Sequence, residues 1–339
     1  MGERSVRGQG LRLVGALLVL GLFAAPAVQA AADAPLYSVP SAKAASSLLL
    51  DVVHAGKRLV AVGERGHVLY SDDEGANWQQ AKVPTRQMLT AVFFVDDQQG
   101  WAVGHDALIL STSDGGATWT KQFDDLQREA PLLDVWFKDL QHGFAVGAYG
   151  ALLETLDGGS SWNDVSDRLD NEDAYHLNAI NAVPDAGLFI VGEMGILLRS
   201  VDDGATWETL ESPYEGSLFG VLPSGEPGSL IIYGLRGHLL RSEDAGDSWQ
   251  QVPLLGHNAA PLEFGLSNAA QLDDGSLLVV GHGGTVLRST DHGRSFNVFN
   301  RPDRVSLAGV AGAAGGQLVL VGQGGVRLTT QTGANPGQQ

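Results

Sequence analysis

The sequence predicts an all-β fold, a seven-bladed β-propeller of four-stranded antiparallel blades, and three observations carry that prediction. Seven glycines, Gly63, Gly104, Gly147, Gly192, Gly234, Gly281 and Gly322, are each followed eight residues later by Ser or Thr, and the first six by an aromatic residue fifteen positions on. Their spacings of 41, 43, 45, 42, 47 and 41 residues fall in the range of roughly 40 to 50 that four-stranded blades occupy. Between these landmarks lie short apolar runs separated by Gly, Asp and Asn turns, with no helical period after the first thirty residues, as expected of an antiparallel all-β chain.

The elements follow in chain order. Residues 1–30 carry Arg4, Arg7 and Arg12, an apolar run from Leu11 to Ala25 and small residues ending Val28-Gln29-Ala30, the make-up of a cleaved signal peptide. An apolar run of about fifteen residues is short for a bilayer span of roughly twenty. Export to the periplasm, or to a lumenal or extracellular space, is therefore expected, with no span in the mature chain. Pro35-Leu36-Tyr37-Ser38-Val39-Pro40 reads as an orphan strand that resembles later unit ends such as Gln80-Ala81-Lys82-Val83-Pro84. It is expected to supply the outer strand of the last blade and so close the ring. In the first unit the strands read as Ser47 to Val53, Leu59 to Val62, Gly66 to Tyr70 and Trp78 to Val83. The last unit, Arg304 to Thr330, lacks an aromatic fourth strand. Residues 31–330 are thus expected to form one propeller domain and 331–339 a flexible tail.

The first six third-to-fourth-strand hairpins carry the box Ser/Thr-x-Asp-x-Gly-x-x-Trp/Phe, as in Ser71-Asp72-Asp73-Glu74-Gly75-Ala76-Asn77-Trp78, and the seventh copy, Thr330-Gln331-Thr332-Gly333-Ala334, has lost Asp, Gly and aromatic. The box aspartates, Asp73, Asp114, Asp157, Asp202, Asp244 and Asp291, should accept backbone N–H groups of their own turn, with the Gly two residues on tolerating positive φ. The aromatics, Trp78, Trp119, Trp162, Trp207, Trp249 and Phe296, should pack against the neighbouring blade. Six aspartates repeating in one setting are six copies of a turn, so the box reads as structural.

Composition narrows the function classes. The chain has 39 acidic and 21 basic residues, and removing residues 1–30 takes its formal charge from −18 to −20. Such a surface repels nucleic acid and anionic membrane. With no cysteine, neither disulfides nor thiolate metal sites are available. The nine histidines show no ligand spacing, so neither a metal nor a cofactor is expected.

The box resembles the Asp-box, or bacterial neuraminidase repeat, of several unrelated propellers. The run Phe93-Phe94-Val95-Asp96-Asp97-Gln98-Gln99-Gly100-Trp101-Ala102-Val103-Gly104 and its counterpart Val135 to Gly147, together with Gly-x-x-Gly-x-Leu-Leu-x-Ser at Gly192 to Ser200 and Gly234 to Ser242, resemble the photosystem II stability and assembly factor family and its bacterial homologues. That resemblance spans about residues 36 to 330. It implies a non-enzymatic envelope assembly or interaction factor whose partner is a membrane-complex subunit or its exposed segment, the factor itself being a monomer. The alternative is a sialidase-like glycoside hydrolase. Sialidases resemble this chain in the box alone: they have six blades, and no Phe/Tyr-Arg-Ile-Pro segment opens the mature chain here. Arg199, Arg241 and Arg288 precede the box Ser at identical positions on different blades, a symmetry that does not assemble one site.

In a four-stranded blade the second-to-third-strand turn and the connection to the next blade open on one face, and the box hairpin opens on the other. The turns carry Glu64-Arg65, His105-Asp106, Ala148-Tyr149, Glu193-Met194, Leu235-Arg236, His282-Gly283 and Gln323-Gly324, which vary while the frame around them repeats. Variation within a constant frame marks a binding face. The candidate partner-binding residues are therefore Glu64, Arg65, His105, Asp106, Tyr149, Glu193, Met194, Arg236 and His282, with Arg and aromatic side chains as anchors.

Overall fold

The second strand of every repeat is the most apolar: Arg58–Gly63, Gly100–Gly104, Gly143–Gly147, Gly187–Gly192, Leu230–Gly234, Leu277–Gly281 and Leu318–Gly322, buried at nearly every position. A half-solvated strand would alternate. These do not, because blades on both sides cover them. In the computed structural model, which describes residues 1–3, 36–256 and 259–335, seven antiparallel sheets take consecutive strands in order. Six have four strands and the seventh has three. Seven apolar clusters sit between neighbouring blades, the last joining Val319 and Val321 of blade 7 to Leu49, Leu59 and Leu69 of blade 1. Fourth strands such as Gln79–Gln80, Asn163–Asp164 and Gln250–Gln251 are short, polar and exposed, which blunts the outer edges. The expected signal peptide lies outside the described residues except for 1–3.

The first strands, Leu49–Ala55, Leu89–Phe94, Leu132–Phe137, Leu177–Val183, Leu218–Pro223, Leu266–Gln271 and Leu307–Gly312, line a central channel of about 400 Å³. Each shifts register against its second strand just after its leading Leu. Such a bulge turns the next side chain toward the channel and releases backbone N–H groups from the ladder.

Two expectations about the ends are corrected. The segment from Leu36 to Ser41 does not complete the last blade. Ser38 N–H donates to Val83 O at 2.9 Å, Gln80 Nε2 donates to Val39 O at 3.1 Å and Arg86 Nε donates to Tyr37 O at 2.9 Å, so the segment runs along the outer edge of blade 1. Likeness to other edge strands did not specify which edge, and the Gln80 side chain, which also accepts Ser41 N–H at 2.9 Å, decides it. The ring closes by packing, with Val326 N–H donating to Ala45 O at 2.9 Å. Nor are residues 331–335 a tail. Gly333 N–H donates to Thr330 O at 2.9 Å, and the buried Arg301 guanidinium donates to Gly333 O and, at 3.0 Å, to Asn335 Oδ1. The degenerate seventh box keeps its turn because an arginine from the preceding connection takes up its carbonyls. Residues 336–339 lie outside the described residues.

Candidate partner-binding face

The box hairpins open on one end of the ring, and each box aspartate and Ser/Thr hydroxyl bonds within its own turn. Asp73 Oδ1 accepts Asn77 N–H at 2.7 Å and the Ser71 hydroxyl at 2.9 Å, while Ser71 Oγ accepts Gly75 N–H at 2.9 Å. The same pattern recurs around Asp114, Asp157, Asp202, Asp244 and Asp291. Hydrogen bonds from the residue four positions on hold Asp73, Asp157, Asp202 and Asp244 below the usual carboxylate range. Burial would raise Asp114 and Asp291, but the same hydrogen bonds outweigh it and bring Asp291 down to about 2. Trp119 is buried, and Trp78, Trp162, Trp207, Trp249 and Phe296 are half-buried against the preceding blade. Arginines on this end are paired at home: Arg199 with Glu208 at 2.7 Å, Arg241 with Glu226 at 2.8 Å and Arg288 with Asp274 at 2.9 Å.

The opposite end is built from the second-to-third-strand turns and the blade connections. In each turn the first variable residue donates its backbone N–H to the carbonyl just before its own first strand, as Glu64 does to Leu48 O at 3.0 Å and Leu235 to Ser217 O at 3.0 Å. The second variable residue sits in the left-handed region: Arg65 (φ 58°), Asp106 (φ 60°), Tyr149 (φ 57°), Met194 (φ 53°) and Arg236 (φ 54°), with Gly283 and Gly324 at the same place in blades 6 and 7. A glycine follows in six blades, Ala107 in the other, and its missing Cβ is what admits the next connection: Gly195 lies against Tyr214 O and Gly237 against Leu262 O. Turn and connection are thus locked together on one face.

The nine candidate residues do not all behave alike. Glu64 Oε1 accepts Leu48 N–H at 3.3 Å and Glu193 Oε2 accepts His176 N–H at 3.0 Å, so both carboxylates brace the frame. Asp106 accepts from Gln87 Nε2. Tyr149 meets His176 edge-on at 5.1 Å, and Glu193 Oε1 lies 3.5 Å from His176 Nδ1, so the turns of blades 3 and 4 meet across that histidine. His105 and His282 are exposed. Tyr149 and Met194 are 67% and 60% exposed, a large apolar display for single turn residues. Arg65 and Arg236 are exposed on blades 1 and 5 and form no side-chain hydrogen bond or ion pair among the described residues. Two arginines missed in the sequence, Arg86 and Arg304, share this face on the connections. With Arg65 and Arg236 they are the four described arginines without a carboxylate partner. Two grooves also open here. One, of about 740 Å³, runs along Arg236, Pro253, Leu255 and Leu262. The other, of about 430 Å³, lies between Tyr175, Met194, Ile196 and Tyr214, with Asp170, Glu172, Asp173 and Glu215 on its rim. The Tyr214 ring stacks on His238 at 3.9 Å between them.

Channel side chains also escaped the sequence analysis. Asp51 accepts Val52 N–H at 2.8 Å and, from blade 2, Val92 N–H at 3.0 Å. Asp134 accepts Val135 N–H at 2.8 Å and, from blade 4, Ile180 N–H at 2.9 Å. Thr90 donates to Leu132 O at 2.7 Å and Asn178 to Leu218 O at 2.8 Å, so the next interfaces are pinned too. Desolvation pushes Asp51 up to about 6 and Asp134, also repelled by Asp51, up to about 7. The signal was present: Leu49-Leu50-Asp51-Val52 and Leu132-Leu133-Asp134-Val135 place an acid at the same step of an otherwise apolar strand. Both oxygens of each carboxylate engage backbone groups, which makes them staples between first strands.

Comparison with known proteins completes the description. The family model described as Photosynthesis system II assembly factor YCF48 matches residues 72–131 and 122–250. A curated relative, the chloroplastic photosystem II stability/assembly factor HCF136 of Cyanidioschyzon merolae (strain NIES-3377 / 10D), is 43% identical over 61 residues, a stretch covering 17% of this chain and 14% of that protein. A solved structure described as YCF48 from Cyanidioschyzon merolae superposes with a TM-score of 0.65 at 18% identity, covering 86% of this chain and 97% of its own. Another, described as YCF48 bound to D1 peptide, gives 0.63 at 19% identity, covering 83% and 92%.

Proposed function

We propose a partner-binding role from the premise that this chain belongs to the photosynthesis system II assembly factor YCF48 family: it acts as an assembly or stability factor that captures an exposed segment of a membrane-complex subunit. Capture occurs on the face of the second-to-third-strand turns. A relative whose solved structure is described as bound to D1 peptide supports a peptide-like partner.

One observation carries the choice of face. Five turns hold Arg65, Asp106, Tyr149, Met194 and Arg236 in a left-handed conformation that costs a non-glycine residue about 1–2 kcal/mol. Blades 6 and 7 fill the same place with glycine, so the fold does not need side chains there. Backbone strain retained at exposed, variable positions is the mark of a working surface. The box face also carries left-handed residues, Glu74, Asp203, Ala245 and His292, but there Glu74 accepts Ala314 N–H, Asp203 pairs with Lys138 and His292 bonds to Ser224 O, so it displays no free arginine, tyrosine or methionine at those positions.

In this reading the protein works without catalysis, as an exported monomer after loss of residues 1–30. No helix among the described residues is long and apolar enough to cross a membrane. Arg65→Glu with Arg236→Glu should abolish capture of the partner from native membranes, with thermal unfolding unchanged. Undiminished capture by that variant would assign the wrong face. N-terminal sequencing of the mature protein checks the cleavage site, and turnover of chromogenic sialosides would favour the glycosidase reading instead.

A further inference from the structure

The charges of the turn-and-connection face are sorted around the ring. Arg236 lies on blade 5, Arg304 between blades 6 and 7, Arg65 on blade 1 and Arg86 on the connection out of it, and none has a carboxylate partner among the described residues. On the other arc, blades 2 to 4 and their connections, the arginines are neutralised: Arg128 pairs with Asp164, and Arg168 with Glu154 at 2.8 Å. There the unpaired charges are acidic. Glu129, Asp167, Asp170, Glu172 and Asp173 stand on the connections, followed by Glu211 and Glu215 past blade 4. The first half also holds Glu263 beside Arg236, Glu64 bonded to Leu48 N–H and Asp303 paired with Arg301, so its four free arginines leave it net cationic while the other half is anionic, although the chain as a whole is strongly acidic.

Each half also has its own groove. The one beside Met194 is floored by Ile196 and flanked by Tyr175 and Tyr214 beneath an acidic rim. That combination suits a Lys or Arg, whose stem lies on apolar surface and whose head meets carboxylate and aromatic groups. The one beside Arg236 is walled by Pro253, Leu255 and Leu262, with Glu263 at the end of its lining, which suits an apolar side chain whose neighbouring acid turns to Arg236 and away from Glu263.

We infer that this face binds an extended polypeptide whose own charge is divided: acidic where it crosses blades 5, 6, 7 and 1, and basic where it crosses blades 2 to 4. This rests on the partner-face reading above and adds the order of charges in the partner. Complementary halves steer and register such a segment, while a uniformly charged one meets like charge on half of its path.

The test uses the full mature chain and synthetic peptides of one composition, with lysines in one half and glutamates in the other around a Leu-Tyr centre, or with the same residues alternating. Uniform lysine and uniform glutamate peptides serve as controls. In low salt the segregated peptide should bind about ten-fold more tightly than the alternating isomer and than either uniform peptide. The triple variant Glu172→Lys, Asp173→Lys, Glu215→Lys should erase that preference. Because the chain contains no cysteine, Met194→Cys and Leu235→Cys each introduce a unique thiol on an exposed turn. A bromoacetyl group on the basic end of the peptide should alkylate the first about ten-fold faster than the second, and on the acidic end the reverse. Equal binding of the isomers, equal alkylation of both thiols, or binding of no peptide overturns the inference. If the Arg65 and Arg236 charge reversals still abolish partner capture in that event, the face stands and only the charge order falls.

Discussion

Tyr149 and Met194 occupy turn apices where glycine would be more stable. Replacing either with Gly relieves a left-handed penalty of about 1–2 kcal/mol and returns about 0.4–1 kcal/mol of unfolded-chain entropy. The net expectation is a gain of up to about 1 kcal/mol in denaturant unfolding, accompanied by weaker binding of the partner. A loss of stability in both variants would show that the apex side chains support the fold. One residue later the rule inverts: Gly195→Ala would drive a Cβ into Tyr214 O, and the same assay should register a loss of about 1–3 kcal/mol. The glycines and the variable pairs were legible in the sequence because they recur on a fixed beat. Their division of labour was not: that Glu64 and Glu193 brace backbone N–H groups while Arg65 and Arg236 stand free depends on side-chain reach, which spacing does not encode. Arg86 and Arg304 escaped notice because they lie on connections of unequal length, off the beat.

The box hairpin ties each blade to the one before it. Trp119 is 4% exposed, stands edge-on to Phe94 at 6.2 Å, and donates Nε1–H to Gly116 O at 2.9 Å. Trp119→Ala should lower unfolding stability by about 3–5 kcal/mol, whereas Phe296→Ala, half-buried, should lose distinctly less. Equal midpoints for the two variants in urea would mean that the box aromatics do not hold the blades together. The apolar second strands and the box made this element readable along the chain. The place of residues 36–41 is not legible in the sequence, because the segment forms no strand and is held to blade 1 by single hydrogen bonds to Gln80 and Val83 rather than by any periodic pattern.

Two sets of carboxylates pull the molecule's acid-base behaviour in opposite directions. The box aspartates lie below their ordinary range, so the stability they confer is complete above about pH 4 and is lost as pH falls through their folded values, about 2 for Asp291. Asp51 and Asp134 are raised from 3.8 to about 6 and about 7. Their contribution is complete below about pH 4 and is lost as pH rises through 6 to 7. These upward moves correspond to roughly 3 kcal/mol for Asp51 and roughly 4 kcal/mol for Asp134 as upper bounds. Melting temperature should therefore peak between about pH 4 and 6 and decline toward pH 8. Asp134→Asn should flatten the alkaline side and leave the acid side unchanged. A profile flat from pH 5 to 8 in the parent would mean that the channel acids are solvated as at an ordinary surface.

Because every blade is cut from one unbroken stretch of chain, and the leading segment lies along blade 1 instead of waiting for blade 7, no strand must be held in reserve until synthesis ends. Blades can be laid down in the order in which the polypeptide emerges, each templated by the last. The price is a seam: where the final three-stranded blade meets the first, no strand among the described residues is interleaved, and packing with a few hydrogen bonds such as Val326 N–H to Ala45 O holds the wheel, which should begin to open there under load.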